Sequence, residues 1–248
     1  VGTEEFFKEH DEIYQTQVFL SDDEIKKKVR FPKNHSTVLD LGCGIGFWTN
    51  KFSKELNIKL IASDLSSKSL ELAKMRVNND NVEYHVENAE EMSFKDETFD
   101  HINCQGVIHH SPNMNKSISE IHRCLKKNGE ASIGIYYKNF ILKNYDFFYK
   151  IIPTRIFKTL GRGRNFQSLS KNYKEVVRLY DGRNNPLGYC LTTNEFKKLI
   201  LDSNFKIINF QYSFFPFRFL KIKFPFFIKK ILTYIFPFYI IANVKKEN

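Results

Sequence analysis

The sequence has few cysteines and no long uninterrupted apolar run. Its four cysteines are scattered, without the short paired spacing of a zinc site or the density of a disulfide scaffold. This pattern predicts a reduced, cytoplasmic protein with neither a metal nor a disulfide. The longest apolar run, residues 231–242, is shorter than the about 20 residues of a transmembrane helix, and Pro237 interrupts it. The first residues are polar and acidic, so no secretory signal is visible.

Positive charge and aromatic side chains are in excess. The formal net charge is +10, and the 248 residues include 25 Phe and 12 Tyr. Nucleic acid, an anionic membrane surface and an acidic small molecule are all attracted by a field of this sign, so charge alone leaves the three open. The length fits one large domain or one domain with an insertion.

Short β-branched runs alternate with longer amphipathic stretches from Thr37 to Tyr137, as in βαβ units on a parallel sheet. The predicted strands are Thr37–Leu41, Lys59–Ser63, Val82–Val86, Phe99–Cys104 and Ala131–Tyr136. The predicted helices are Trp48–Glu55, Ser67–Val77, which begins at Ser66 or Ser67, and Ser117–Leu125, which Asn128-Gly129 ends. A further helix, Thr192–Ser203, and two closing strands, Phe205–Tyr212 and Phe238–Val244, complete a doubly wound α/β sheet of seven strands.

The sequence divides into three segments. Residues 1–137 hold an N-terminal segment and the nucleotide-binding half. Residues 138–190 lose the β alternation and include a basic turn, Gly161-Arg162-Gly163-Arg164, which predicts an inserted lid. Residues 191–248 return to the same domain, with an aromatic and basic insertion at 214–237.

The most specific pattern is the glycine-rich stretch Val38–Gly46, a buried strand that ends in Asp40 and three alternating glycines before a helix. Glycine permits a tight turn and close approach of the backbone to a ligand. The spacing Gly-x-Gly-x-Gly differs from that of dinucleotide sites, which bind a pyrophosphate at the helix N-terminus. A carboxylate ahead of the loop suits a cationic ligand instead.

This stretch resembles the first motif of the class I S-adenosylmethionine-dependent methyltransferases, in particular the small-molecule branch of methyltransferase type 11. The resemblance continues through residues 61–66, 87–94, 99–110 and 125–130. It implies a Rossmann-like, mostly parallel sheet with an antiparallel last strand, and an acceptor lid between the fifth strand and the following helix. It also implies S-adenosyl-L-methionine as the cofactor and S-adenosyl-L-homocysteine as the product.

The resemblance also implies a set of cofactor-binding residues. Asp64 lies about twenty residues after the loop, where a carboxylate binds ribose hydroxyls. Asn88 stands where the family usually has Asp, so its amide oxygen would contact the adenine amino group. The full set is Asp40, Gly42, Cys43, Gly44, Gly46, Asp64, Leu65, Asn88, Ala89, Glu90 and Gln105. Two alternatives remain open: Asp40 as a loop-stabilising acceptor and Asp64 as a helix N-cap.

His109 and His110 lie at the C-terminal end of a predicted parallel strand, the edge where ligands bind in open α/β sheets. An imidazole there is a candidate general base for a hydroxyl or amine acceptor, and shaping of the loop is the alternative. Methyl transfer depends mainly on holding the nucleophile near the methyl group and excluding water. An acceptor that is already ionised, or a neutral amine, needs no base.

The acceptor is expected to lie under the lid and the segment Tyr180–Gly188. Candidate substrate-binding residues are Tyr14, His109, His110 and Arg183, with Tyr14 and Gln17 either closing over the cofactor or lying on the surface. The excess of Arg and Lys in the lid suggests an anionic acceptor, and a solvated basic surface is the alternative.

Residues 214–237 allow more than one interpretation. Phe224–Phe236, with Lys229 and Lys230, predicts an amphipathic element that lies on a membrane or lines an apolar acceptor pocket. Burial against the lid or a homodimer partner is the simpler expectation, because an exposed aromatic patch needs cover.

Two other functions compete with a small-molecule methyltransferase. Charge suggests a nucleic-acid methyltransferase, but the Asp/Asn-Pro-Pro-aromatic tetrapeptide that positions a base amino group is absent, and His109-His110-Ser111-Pro112 stands in its place. A base-flipping clamp is also not evident. The sequence therefore argues against nucleic acid as a partner. A catalytically silent binding module is the second alternative, and the intact glycines with Asp40 and Asp64 argue against it.

Overall fold

The computed structural model describes residues 2–151, 172–181, 185–216 and 224–247, and within them every side chain except those of Thr16 and Gln17. Eight strands occur in these residues and form one sheet. They are β1 Thr37–Leu41, β2 Lys59–Asp64, β3 Val82–Val86, β4 Phe99–Gln105, β5 Leu125–Tyr137, β6 Cys190–Leu191, β7 Phe205–Ser213 and β8 Tyr239–Lys246.

Seven of these strands follow the order β3-β2-β1-β4-β5-β8-β7, and the two-residue β6 pairs only with the end of β5. Strand β8 is antiparallel to both of its neighbours, whereas the other pairings are parallel. The predicted α/β class, the mostly parallel sheet and the antiparallel last strand are therefore confirmed.

Ten α-helices lie within the described ranges. They are α1 Glu4–Ile13, α2 Asp22–Lys28, α3 Phe47–Glu55, α4 Ser67–Val77, α5 Met114–Cys124, α6 Phe140–Lys143, α7 Tyr145–Ile151, α8 Tyr173–Leu179, α9 Thr193–Asp202 and α10 Phe226–Ile235. Local sequence begins several of them: Ser66 accepts from the Ser69 amide, and Thr192 forms a capping box with Glu195. A π-helical turn, Tyr14–Val18, follows α1, and a 3-10 turn, Ile108–His110, follows β4.

The core has two layers because the central strands are buried on both faces. Leu39 of β1 packs in the layer that also contains residues of α5 and α9, whereas its neighbour Val38 packs in the layer of α3 and α4. Phe47 and Trp48 are buried in the second layer. Helices on both faces of a largely parallel sheet define the doubly wound arrangement.

The boundary between α5 and β5 differs from the prediction. Helix α5 begins at Met114, with Asn113 as its N-cap, and ends at Cys124. Asn128-Gly129 does not end this helix, because Leu125 already pairs with Phe99 of β4. Asn128 instead adopts a positive φ of 63° inside β5, near the point where the register with β4 shifts. Strand pairing has overridden a local helix-stop signal.

The predicted lid is partly described. Its first residues form α6 and α7, and α8 lies further on, with Leu142, Tyr145 and Val177 packed together in a small satellite cluster. The basic turn at 161–164 and Arg183 lie outside the described residues. The segment boundaries at 137 and 190 stay predictions.

Helix α10 places its apolar side chains outward. Thr233 is buried against the domain, whereas the exposed fractions of Phe226, Phe227 and Tyr234 are 58%, 63% and 86%. The expectation that this segment packs against the lid or a homodimer partner stays a prediction. Within the described ranges, no helix combines the length and apolar content needed to span a bilayer.

Candidate active site

The glycine loop between β1 and α3 leaves an open backbone surface at its centre. Gly42, Gly44 and Gly46 all have positive φ, at 69°, 54° and 82°. A Cβ on Gly42 would lie 2.2 Å from a Val107 methyl carbon, and one on Gly46 would lie 3.1 Å from Ala73, so these two glycines pack against protein. A Cβ on Gly44 would meet nothing within 4 Å. Gly44 therefore borders space that a ligand can occupy.

Asp64, at the end of β2, ties this loop to the next one. Its Oδ2 accepts from the Gly44 amide at 2.9 Å, and its Oδ1 accepts from the Ser66 amide at 2.9 Å. Each carboxylate oxygen keeps a further lone pair for a ligand hydroxyl. Because Ser66 is the N-cap of α4, the interpretation of Asp64 as that cap is wrong. Leu65 is 73% exposed beside it.

Asp40 is buried, and its carboxylate binds other protein side chains. Thr49 Oγ1 donates to Oδ2 at 2.6 Å, and Asn103 Nδ2 donates to Oδ1 at 2.9 Å. Burial raises the pKa of Asp40 to about 6, although both hydrogen bonds oppose the shift. These are the contacts of a loop-stabilising acceptor that links β1 to α3 and β4. The Asp40 side chain has almost no exposed surface, so a direct contact with a ligand is not available to it in this structure.

The predicted adenine segment forms a turn after β3. The Asn88 side-chain oxygen accepts from the Glu90 amide at 3.0 Å, and Ala89 packs against the core. Glu90 accepts at 2.6 Å from the amide of Asn113, the N-cap of α5. The side chains of Asn88 and Glu90 therefore stabilise the turn. Only those of their polar atoms and lone pairs that these bonds leave unused could bind adenine.

His109 is almost fully buried, and neither of its ring nitrogens has a hydrogen-bond partner within the described part of the chain. Burial, reinforced by the neighbouring His110, lowers the pKa of His109 well below its ordinary value, so the ring is neutral. Its ring centroid lies 4.2 Å from that of Tyr136. A buried polar group without a partner in a protein calls for an explanation.

His110 forms a clasp with the predicted acceptor segment. Its Nδ1 lies 2.8 Å from the Leu187 carbonyl oxygen, and its Nε2 lies 3.2 Å from Asp181 Oδ2. Burial alone would lower the pKa of His110, but the bonds to Asp181 and Leu187 outweigh it and raise the pKa above its ordinary value. Asn185 Nδ2 also lies 3.1 Å from the same Nδ1, so both ring nitrogens of His110 have partners within the protein. A general-base role for His110 stays a prediction.

His109, His110 and Asp181 carry side chains of the types that bind metal ions. The nearest ligand atoms of His109, His110 and Asp181 all lie within 4.8 Å of one another. The contact between His110 and Asp181 already explains why these two side chains lie close together. The expectation that the protein uses no metal stays a prediction.

Aromatic side chains from distant parts of the chain surround these histidines. The Tyr136 hydroxyl donates to Asp181, and the Tyr136 ring contacts those of Tyr180 and Tyr239. The Tyr239 hydroxyl in turn donates to Gln105 at 3.2 Å. Gln105, predicted to bind cofactor, also donates to a β5 carbonyl and is buried. Tyr136 and Tyr239 carry no recognisable signal in the sequence.

Helix α1 and the π-helical turn lie against the glycine loop. Tyr14 stacks on Phe47, the first residue of α3, with ring centroids 4.3 Å apart. Arg76 of α4 donates to the Ile45 carbonyl at 3.2 Å, forms an ion pair with Asp11 and lies over the Phe47 ring. The predicted position of Tyr14 beside the cofactor loop agrees with this packing. The role of Arg76 was not predicted.

Comparison with known proteins agrees with this geometry. A family model described as a methyltransferase domain matches residues 39–133. The chain is 28% identical over 194 residues to a ubiquinone/menaquinone biosynthesis C-methyltransferase of Rickettsia prowazekii, covering 74% of this chain and 73% of that protein. It is 32% identical over 111 residues to phosphoethanolamine N-methyltransferase 2 of Caenorhabditis elegans, covering 44% of this chain and only 25% of that protein.

Solved structures share the fold at lower identity. A putative methyltransferase from Bacillus halodurans has a TM-score of 0.59 at 22% identity, covering 87% of this chain and 94% of that one. A 1,6-didemethyltoxoflavin-N1-methyltransferase of Burkholderia thailandensis, with bound S-adenosylhomocysteine, has a TM-score of 0.55 at 17% identity, covering 87% and 72%. The family match and the relatives make this chain an S-adenosylmethionine-dependent methyltransferase, with the class I fold that the solved structures share.

Proposed function

We propose that this protein methylates a ring carbon of a small, flat, hydroxylated aromatic acceptor of the quinone type. The observation that carries the proposal is the neutral, buried His109, whose ring nitrogens lack partners among the described residues and which lies amid aromatic side chains. An acceptor hydroxyl would satisfy one of those nitrogens. The quinone C-methyltransferase relatives, similar over about three quarters of the chain, support the same chemistry.

The residues at the glycine loop fit the cofactor, since the space beside Gly44 is open and Leu65 exposes an apolar side chain next to Asp64. S-adenosylmethionine, when bound, supplies a methyl group already activated by its sulfonium. In this proposal Gly44 allows the cofactor to approach the backbone, Asp64 accepts from the ribose hydroxyls, and Leu65 packs against the adenine. The negative charge of Asp40 favours a cationic cofactor.

The acceptor half contributes position and a hydrogen bond. Tyr136, Tyr180 and Tyr239 provide flat apolar surfaces that orient an aromatic ring. His109 accepts a hydrogen bond from the acceptor hydroxyl, which increases electron density on the adjacent ring carbon as that carbon takes the methyl group. The sulfur–methyl bond breaks, S-adenosylhomocysteine leaves, and the ring carbon loses its proton to solvent, which restores the aromatic ring. The His110–Asp181 clasp holds the acceptor segment closed and excludes water.

Variants of His109 test the proposal. His109→Leu removes the acceptor nitrogen and should lower kcat/KM for a hydroquinone by about 100-fold. His109→Gln retains a hydrogen-bond acceptor and should recover part of the loss. Calorimetric affinity for S-adenosylhomocysteine should not change in either variant, since the ring contacts of His109 are with His110 and Tyr136.

The substrates should include a reduced demethylated quinol, its oxidised quinone and phosphoethanolamine, each with radiolabelled cofactor. We expect methylation of the quinol alone, because only the quinol has the donating hydroxyl. Methylation of phosphoethanolamine, or equal activity in His109→Leu, would overturn the proposed acceptor while leaving the cofactor site intact. Failure to bind S-adenosylhomocysteine at all would overturn the cofactor assignment instead.

A further inference from the structure

Among the described residues, the exposed face of α10 is a feature that methyl transfer does not explain. Within this helix the side chains of Phe226, Phe227, Ile231, Tyr234 and Ile235 are each more than half exposed. They occupy one side of the helix, and the opposite side carries the buried Thr233, which faces the domain where α10 meets β7. A water-soluble protein normally turns the apolar side of a helix inward. Here the apolar side is presented to a partner.

The charge around this face selects the kind of partner. Between Phe214 and Pro237 the sequence contains five Lys or Arg residues and no Asp or Glu. Lys230 is exposed among the apolar side chains of α10. A second copy of the chain would bring another Lys230 against the same face, and like charges would oppose such a dimer. An anionic lipid surface matches both the apolar side chains and the positive charge.

We propose that α10 docks this protein onto an anionic lipid bilayer, with the helix parallel to the surface. Phe226, Phe227, Ile231, Tyr234 and Ile235 enter the boundary between headgroups and acyl chains, and Lys230 remains at headgroup level.

The docking helix is connected to the acceptor half of the site. Just after α10, the Pro237 carbonyl accepts from the side chain of Asn139, the N-cap of α6, at 2.9 Å. The next backbone carbonyl, that of Phe238, accepts from the Tyr137 amide, and Tyr239 then lies among the aromatic residues around His109 and His110. Docking through α10 therefore places the acceptor side of the molecule near the bilayer. The proposal does not depend on which acceptor is methylated.

Vesicle binding by the full chain tests the proposal. We expect sedimentation with vesicles that contain phosphatidylglycerol, weaker sedimentation with pure phosphatidylcholine, and loss of binding as salt is raised. Phe227→Gln combined with Tyr234→Gln should weaken partitioning by about tenfold or more, because two exposed aromatic side chains no longer enter the bilayer. Lys230→Gln should weaken binding to the anionic vesicles by about fivefold.

Matched control variants distinguish the α10 face from exposed side chains elsewhere on the protein. Met75→Gln combined with Leu201→Gln removes two exposed apolar side chains elsewhere, and Lys127→Gln removes one exposed cation from the turn within β5. These variants should bind vesicles as the unchanged chain does. Circular dichroism and affinity for S-adenosylhomocysteine establish that every variant is folded, and keep this test separate from that of the proposed function.

Three results would overturn the proposal. The first is an unchanged chain that does not sediment with anionic vesicles. The second is equal loss of binding in the α10 variants and their controls. The third is a dimer in light scattering that Phe227→Gln with Tyr234→Gln converts to a monomer, which would make a second copy the partner of this face.

Discussion

The cofactor half and the acceptor half of this molecule are held together by contacts of different range. Around the glycine loop, Asp40 and Thr49 are nine residues apart and Asp64 and Gly44 are twenty apart, while the bond from Asn103 to Asp40 spans 63. On the acceptor side, the Tyr136–Asp181 bond spans 45 residues and the bond from Tyr239 to Gln105 spans 134. The first half is thus organised by neighbouring loops, and the second by the assembled fold. Changes in one half should leave the other largely unaffected.

The largest expected effect is on cofactor affinity. Asp64→Ala should weaken binding of S-adenosylhomocysteine by more than about 100-fold, because a carboxylate that accepts two ribose hydroxyls contributes roughly 3 kcal/mol. Calorimetric titration measures the change. The control is Asp80→Ala, which removes an exposed carboxylate from the turn before β3. Unchanged affinity in Asp64→Ala would show that Asp64 does not belong to the cofactor half.

Two glycines of one loop should respond differently to the same substitution. Gly42→Ala places a methyl group against Val107 and should lower the free energy of unfolding by about 3 kcal/mol, measured by chemical denaturation. Gly44→Ala has open space and should cost only about 1 kcal/mol from its positive φ, yet should weaken cofactor binding. Equal losses of stability in the two variants would contradict the assignment of open space to the ligand.

A smaller effect is expected at Leu65. Leu65→Ala should weaken binding of S-adenosylhomocysteine by about tenfold, since a leucine side chain that becomes buried on binding contributes roughly 1.5 kcal/mol. Met75→Ala truncates another exposed side chain, on α4, and should leave the affinity unchanged. The same titration compares the two, and equal affinities would remove Leu65 from the adenine surface.

The smallest effect tests the acceptor half through pH. Hydrogen bonding lowers the pKa of Asp181 below 3.8, despite burial, and raises the pKa of His110 above 6.5. The lowered carboxyl stabilises the fold above pH 3.8 and loses this contribution as pH falls through its folded pKa. The raised imidazole stabilises the fold below pH 6.5 and loses its contribution as pH rises through its folded pKa.

The two contributions coexist between these limits. Asp181→Asn should therefore lower the free energy of unfolding by about 1 kcal/mol between about pH 4 and 6.5, and by less at higher pH. Thermal unfolding across this range measures it, with Asp146→Asn of α7 as the exposed control. A difference that grows above pH 7 would mean that His110 is not the cation in the clasp. Cofactor affinity should be the same throughout.

The parts of the site that could be predicted are those with local signals. Asp64 was identified by its spacing from the glycine loop, because both follow adjacent parallel strands. Asp181 lay in a segment assigned to the acceptor, but its pairing with His110, 71 residues away, has no counterpart in local spacing. Asn128-Gly129 misled the prediction for α5, since pairing with β4 decided the start of β5.

The sequence by itself determined the alternating strands and helices, the family and the positions of the glycine loop and Asp64. It could do so because periodicity and backbone requirements act over a few residues. Only the tertiary structure decided that His109 is buried without a partner, that Asp181 and Tyr136 meet beside His110, and that α10 turns its aromatic side outward. Each of these three features depends on which residues, distant in sequence, pack against a side chain. Local sequence does not indicate which residues those are.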